Sequence, residues 1–176
     1  MKLESKLSTD IYLGLGANLG NPRETFELAL ALITRFSTVR KVSRLYKSLP
    51  FGFLEQPPFV NAVAQISTSM KPATLLTKLQ FVEGALGKEV VRENGPRVID
   101  IDLLLYGEQS MTSDDLILPH PGILTRDFVL RPLLDLNPNL RHPSWEPKTL
   151  KSALGGLQER FVRDTPEKWD ITFSTN

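Results

Sequence analysis

The segment that most constrains this chain runs Val98-Ile99-Asp100-Ile101-Asp102-Leu103-Leu104-Leu105-Tyr106. It is apolar apart from its two aspartates, and its Val, Ile and Tyr content predicts a buried β-strand. Residues i and i+2 of a strand point to the same side, so both carboxylates face one way with Cα atoms about 6.5–7 Å apart. Two unpaired carboxylates in a buried strand would each cost on the order of several kcal/mol. A divalent cation removes that cost. Mg²⁺ binds through one or two carboxylates plus phosphate oxygens, and two ions about 3.5–4 Å apart can be bridged by such a pair. Arg97, reached through Gly95-Pro96 and three residues ahead of Asp100, sets a fork-shaped phosphate donor beside the acids.

The chain has 176 residues, the length of one domain with a core of its own. The catalytic core is expected over about 11–160, with 1–10 and 161–176 as terminal extensions and the last segment a loosely attached tail. The formal net charge of +1 argues against a broad nucleic-acid or membrane footprint. There is no cysteine, which rules out disulfides and thiolate metal sites and suits a reducing compartment. No secretory signal is visible in residues 1–10, and the apolar run 28–33 is too short to span a bilayer. The expected location is the cytoplasm, and no feature fixes an oligomeric state.

Periodicity predicts strands over 11–16, 39–46 and 59–67 and helices beginning at Pro22 and Pro72, with Asn21 as an N-cap and Gly87 as a C-terminal cap. In 39–46 the apolar residues Val39, Val42 and Leu45 do not alternate cleanly, which points to a bulge. With the aspartate strand the order is β-α-β-β-α-β, a ferredoxin-like α+β core with an antiparallel sheet and helices packed on it. Additional C-terminal elements follow: a short strand near 116–118, a helix over about 126–135 and a weaker one over about 149–159.

Four motifs occur in order: Gly16-Ala17-Asn18-Leu19-Gly20, Gln56-Pro57-Pro58-Phe59-Val60-Asn61-Ala62, Gly95 to Asp102, and Pro119-His120-Pro121 followed by Arg126-Asp127-Phe128. Together they resemble the 6-hydroxymethyl-7,8-dihydropterin pyrophosphokinase family, over about 11–154. The resemblance implies transfer of pyrophosphate from ATP to the hydroxymethyl group of a reduced pterin, with release of AMP, in folate synthesis. Its partners are then ATP and the pterin, and its cofactor two Mg²⁺ ions held by Asp100 and Asp102. Arg97 and His120 join the aspartates as catalytic residues, with His120 expected to donate as a protonated ring. Gln80, Glu83, Lys88, Arg97, Leu103, His120 and Arg126 match positions that bind ATP. Gly16, Asn18, Ser48, Leu49, Phe51, Phe59, Asn61 and Phe128 match positions around the pterin, the last three supplying an amide at the ring edge and aromatic faces.

The chain leaves the family pattern in the loop 88–96. Lys88 and Val90 stand where arginines are usual, Asn94 stands in place of a tryptophan, and Asp115 replaces a basic residue. Lysine keeps the charge but loses the fork. These departures bear on phosphate affinity and loop closure. Two other readings fit the same residues. One is a pterin- or nucleotide-binding relative without catalysis, which would bind without releasing AMP. The other is a two-metal nucleotidyl-transfer enzyme, which would need an extended basic track that a +1 chain lacks.

Overall fold

The computed structural model describes residues 9–89 and 92–171. Among them, β1 (Ile11–Ala17), β2 (Thr38–Val42), β3 (Leu45–Ser48), β4 (Phe59–Ser67), β5 (Asp100–Tyr106) and β8 (Val162–Glu167) form one antiparallel sheet. The order is β5-β1-β4-β3-β8, with β2 also paired to β4. A two-stranded ribbon, β6 (Met111–Thr112) with β7 (Ile117–Leu118), lies apart from it.

The helices start where their caps dictate. In α1 (Pro22–Ile33) Asn21 accepts the Glu24 N–H and Pro22 occupies the first turn; Phe26, Ala29, Leu30 and Ile33 are buried. In α2 (Pro72–Ala85) Leu75, Leu79 and Val82 are buried, and Gly87 follows at φ +86°. These two helices pack with Ile11, Leu13, Leu15, Ala62, Ala64, Ile101 and Leu103 into one core. The opposite sheet face, carrying Tyr12, Val63 and Leu104, packs against α3 (Asp127–Leu136) and α4 (Leu150–Gly156). Both faces of the sheet are thus covered, and α3 crosses the face on which the even-numbered residues of β1 lie.

Two expectations are corrected. The predicted strand 39–46 is two strands. Ser43 is buried between them, exchanging main-chain and side-chain hydrogen bonds with Val63 of β4, and so supports the break in the alternation. Residues 161–171 are not a loose tail. β8 adds to the edge of β3, and the Trp169 ring is 6% exposed. That ring lies edge-on to Phe26 with centroids 6.1 Å apart, and its Nε1–H donates to the Ser43 carbonyl at 2.6 Å. Among the described residues no helix is long and apolar enough to cross a membrane.

If the C-terminal segment is part of the core, Trp169→Ala lowers unfolding free energy by about 3–5 kcal/mol, the range for removing a buried aromatic side chain. Urea titration of the two proteins checks this, and a loss under about 1 kcal/mol would restore the loose-tail picture.

Candidate active site

The site begins with an alternation. Asp100, Asp102 and Leu104 share one side of β5. The register sets Asp102 opposite Gly14 and Asp100 opposite Gly16 across β1, and Gly16 opposite Asn61 of β4. With no side chains on Gly14 and Gly16, the sheet keeps an open floor. A Cβ at Gly14 would stand 3.4 Å from the Leu104 side chain, and one at Gly16 would stand 3.7 Å from Asn61 Oδ1. A cleft partly open to solvent lies over this floor.

The cleft collects most of the residues matched to the pterin. Gly16, Ser48, Leu49, Phe51, Phe59, Asn61 and Phe128 line it, as do Arg97, Asp100, Asp102 and Arg126. The Asn61 carboxamide is oriented by donating to Ser48 Oγ (2.8 Å) and the Tyr46 carbonyl (3.1 Å), which leaves Oδ1 as the free acceptor. Phe59 has a double role, since the Arg97 guanidinium lies over its ring at 5.0 Å. A second cleft opens on the other side of Asp102. Leu76, Ile101, Leu103, Asp115, Ile117 and His120 line it. Asp102 therefore forms a wall shared by both clefts.

A further register detail fixes the histidine. β5 carries one extra residue at Leu104 relative to β1, so Tyr12 pairs with Leu105 and Leu13 with Leu103. The Leu104 carbonyl accepts the His120 N–H at 2.9 Å. His120 Nδ1 accepts the Gly122 N–H at 3.0 Å, which leaves the proton on Nε2. Burial, together with the positive charge of Arg126, holds the ring below its ordinary pKa despite Asp100. His120 thus presents Nε2–H toward the second cleft's lining as its donor.

The acids are unequally matched. Lys88 Nζ lies 2.6 Å from Asp100 Oδ1 and 2.9 Å from Glu83 Oε1. Burial would lower the Lys88 pKa, but these carboxylates outweigh it and hold the ammonium above its usual value. Glu83 also accepts the Ile101 N–H at 2.6 Å. Burial raises its pKa against the pull of both donors. Asp102 has no such partner. The protein around it desolvates a carboxyl that opens only onto the clefts, and Asp100 and Glu83 add negative charge, so its pKa is raised to about 7. Arg97 Nε is buried without a hydrogen-bond partner and lies 3.7 Å from Asp100 Oδ2.

This donor set suits magnesium. Among the described residues no group of three or more acidic, histidine or cysteine side chains is placed to enclose a metal. Two carboxylates on one strand, one of them short of a cation, match an ion that completes its shell with phosphate oxygens and water. The unpartnered Arg97 guanidinium fits the same phosphates.

The 7,8-dihydro-6-hydroxymethylpterin-pyrophosphokinase family profile matches residues 12–138. The chain belongs to this family. It is 44% identical over 135 residues to the 2-amino-4-hydroxy-6-hydroxymethyldihydropteridine pyrophosphokinase of Pseudomonas aeruginosa, covering 76% of this chain and 83% of that one. It is 43% identical over 148 residues to the folic acid synthesis protein fol1 of Pneumocystis carinii, covering 81% of this chain and 20% of the relative. The chain thus spans about a fifth of the length of that relative. The HPPK-DHPS of Plasmodium falciparum with pteroate has a similar fold, with TM-score 0.69 at 14% identity over 84% of this chain and 42% of that one.

Several residues matched to family positions make bonds within the protein. Asn18 is not in the lining of the first cleft. Its Oδ1 accepts the Arg97 N–H, and its Nδ2 donates to Gln56 Oε1 and the Pro57 carbonyl, each at 2.9 Å. Gln80 is exposed one turn along α2 from Leu76 and lines neither cleft, whereas Glu83 faces inward. Arg126 lies over the Phe51 ring at 4.8 Å, on the pterin side. Val90 lies outside the described residues. Asn94, in the tryptophan's place, has φ +53°, a conformation asparagine tolerates far better than bulky residues. It packs on Gly52, where a Cβ would come within 2.9 Å of Asn94 Nδ2. The loop still crosses to residues 51–56 without the indole: Arg92 covers the Phe53 ring at 3.8 Å, and Gln56 donates to the Asn94 carbonyl at 2.7 Å.

Gln56, in the second of the four motifs, matches no ligand position; its carboxamide accepts from Asn18 and donates to the Phe53 and Asn94 carbonyls.

The raised Asp102 pKa makes the metal-free protein pH-sensitive in a defined direction. The carboxyl holds its proton in the fold up to about pH 7, while the unfolded chain ionises it near pH 4. The folded state binds the extra proton between those values, so this group's contribution to stability falls as pH rises through them. Asp102→Asn abolishes the fall. In excess chelator at pH 8 the variant exceeds wild type by on the order of 1–3 kcal/mol, less than the full shift because the carboxyl meets solvent in the clefts. Denaturation at pH 5 and pH 8 measures it, and equal pH profiles for the two proteins would contradict it.

Proposed function

We propose that this chain transfers the β,γ-diphosphate of ATP to the hydroxymethyl oxygen of 6-hydroxymethyl-7,8-dihydropterin, releasing AMP, as a step of folate synthesis. The observation that carries this reading is the shared wall at Asp102: one cleft is aromatic and amide-lined and also holds Asp100, the other reaches His120, and Asp102 lines both. The names of the full-length bacterial relatives and the family match support it. The reading treats 1–176 as one catalytic domain and keeps the cytoplasmic location expected from the sequence.

Each residue group then has a task. Phe59 and Phe128 face the flat pterin, and Asn61 Oδ1 accepts from its donor edge. Leu103 and Ile117 supply apolar surface on the nucleotide side. Arg97, Arg126 and the Nε2–H of His120 are positioned for phosphate oxygens as charge builds on them. Asp100 and Asp102 would hold two Mg²⁺ ions, which when bound polarise the phosphoryl oxygens and lower the pKa of the attacking hydroxyl. A bond forms from the hydroxymethyl oxygen to the β-phosphorus as the bridge to the α-phosphorus breaks. The bridging oxygen leaves on AMP, and the hydroxyl proton is released. Most of the rate in such transfer comes from positioning and charge stabilisation. Lys88 must let go of Asp100 for that carboxylate to serve a metal, and it can keep Glu83 or turn to phosphate.

The test is AMP release from ATP, the reduced pterin and fixed Mg²⁺. Wild type is expected to turn over, and Asp102→Ala to lose about 10²–10³-fold or more, as when a preorganised electrostatic contact is removed. Binding of both ligands with no AMP from wild type would instead make the chain a binding relative. Full activity in the variant would remove the aspartate pair from the chemistry.

A further inference from the structure

A third ring stands behind the two aromatic walls of the pterin cleft, and it comes from beyond residue 138, where the family match ends. Phe161, at the entry to β8, lies edge-on to Phe51 (5.6 Å, 65°) and to Phe128 (5.9 Å, 89°). Phe51 and Phe128 are themselves 6.3 Å apart. Phe51 and Phe128 line the cleft, whereas Phe161 lines an outer groove on the far side of Phe51. Phe51 is 37% exposed and sits on a loop with neither helix nor strand, so its ring is held by Phe161, Phe128 and the Arg126 guanidinium rather than by its own element.

The main chain of Phe161 is fixed from both sides of the cleft. Its N–H donates to the Asp127 carboxylate at 2.9 and 3.0 Å, and the Val162 N–H joins the same carboxylate at 2.9 Å. Its carbonyl accepts the Leu49 N–H at 2.9 Å. Asp127 is fully buried and adjoins Phe128 at the start of α3; Leu49 is two residues from Phe51. One residue is therefore tied to both walls, by its ring and by its backbone. A fully buried carboxylate is costly unless it is hydrogen-bonded, so Asp127 holds this connection firmly.

We propose that Phe161 is a positioning residue for the pterin, holding Phe51 and Phe128 in their packed arrangement at the wall of the cleft that Phe59 faces, with Asp127 locking it in place. This rests on the reading of the cleft as the pterin site. Phe161 does not itself touch that cleft, and its effect passes through the two rings in front of it. The C-terminal strand, outside the family match, then becomes part of the specificity machinery for one substrate and not the other.

The experiment measures binding of 6-hydroxymethylpterin and, separately, of a non-hydrolysable ATP analogue to the full chain by calorimetry, with steady-state kinetics alongside. Phe161→Leu keeps apolar bulk but loses both edge-on ring pairs, and is expected to weaken pterin binding about tenfold. Analogue affinity and kcat at saturating pterin stay within about twofold, so the loss appears in KM for the pterin. Phe161→Tyr keeps the ring and restores wild-type affinity. If Phe161→Leu does not fold, Phe161→Met carries the same comparison. Wild type that binds no pterin would overturn the assignment of the cleft, and this proposal with it. Wild type that binds, with Phe161→Leu equally tight, would overturn this proposal alone. So would parallel weakening of pterin and nucleotide, or failure of Phe161→Tyr to rescue.

Discussion

The site depends on the register in which β1 is held between β4 and β5. Gly14 faces Asp102 on one side and Val63 on the other, and Gly16 faces Asp100 and Asn61. Directly opposed residues of antiparallel strands point to the same face, so the pairing gathers two carboxylates and an amide oxygen around a floor without side chains. A slip of one residue would bring Leu13 and Leu15 to that floor and turn the carboxylates into the core under α1 and α2. The apolar content of that core, with Ile11, Leu13, Leu15, Ile101 and Leu103 all nearly inaccessible, is what forbids the slip. Core packing on one face thus sets the chemistry on the other.

Three irregular segments meet over the floor, and two carboxamides hold them in relation. Asn18 joins the turn after β1 to the main chain at Arg97 and Pro57. Gln56 joins residues 53 and 94, and the two amides bond each other. Each loop would be free to wander if its polar groups could find only water. Here the conformation of one loop is a condition for satisfying the next. Arg97 and the aromatic rings of the same cleft are therefore placed by a common set of bonds.

The sequence was legible where a regular period fixed direction. Asp100, Asp102, Phe59, Asn61 and Gly16 lie in strands, and alternation alone assigns their side. It was poorly legible where a side chain's direction depends on distant partners. Gln80 and Glu83 share a helix three residues apart, yet Glu83 turns inward because the Ile101 N–H and Lys88 ammonium meet it, and Gln80 has no such call on it. Asn18, matched to a pterin position, makes bonds between loops that no local period announces. β8 was missed for another reason. Val162-Arg163-Asp164-Thr165-Pro166-Glu167 has no apolar alternation, because it is a solvent-facing edge strand whose anchor, Trp169, comes after it.

The charges in the clefts say what kind of ligand the protein is built around. Asp100, Asp102, Asp114 and Asp115 line them with negative charge and Arg97 and Arg126 with positive charge, while Glu83 and Lys88 pair behind Asp100. Only Lys88 makes short contact with the acids. Arg97 leaves Nε unpartnered, and Arg126 rests on the Phe51 ring. A neutral ligand would give no reason to gather charges of both signs beside this floor, where each unpaired charge is costly. A simple anion would satisfy the arginines and be repelled by the acids. The proposed co-substrate, a polyphosphate carrying divalent cations, would answer both, its oxygens going to the guanidiniums and its metals to the carboxylates.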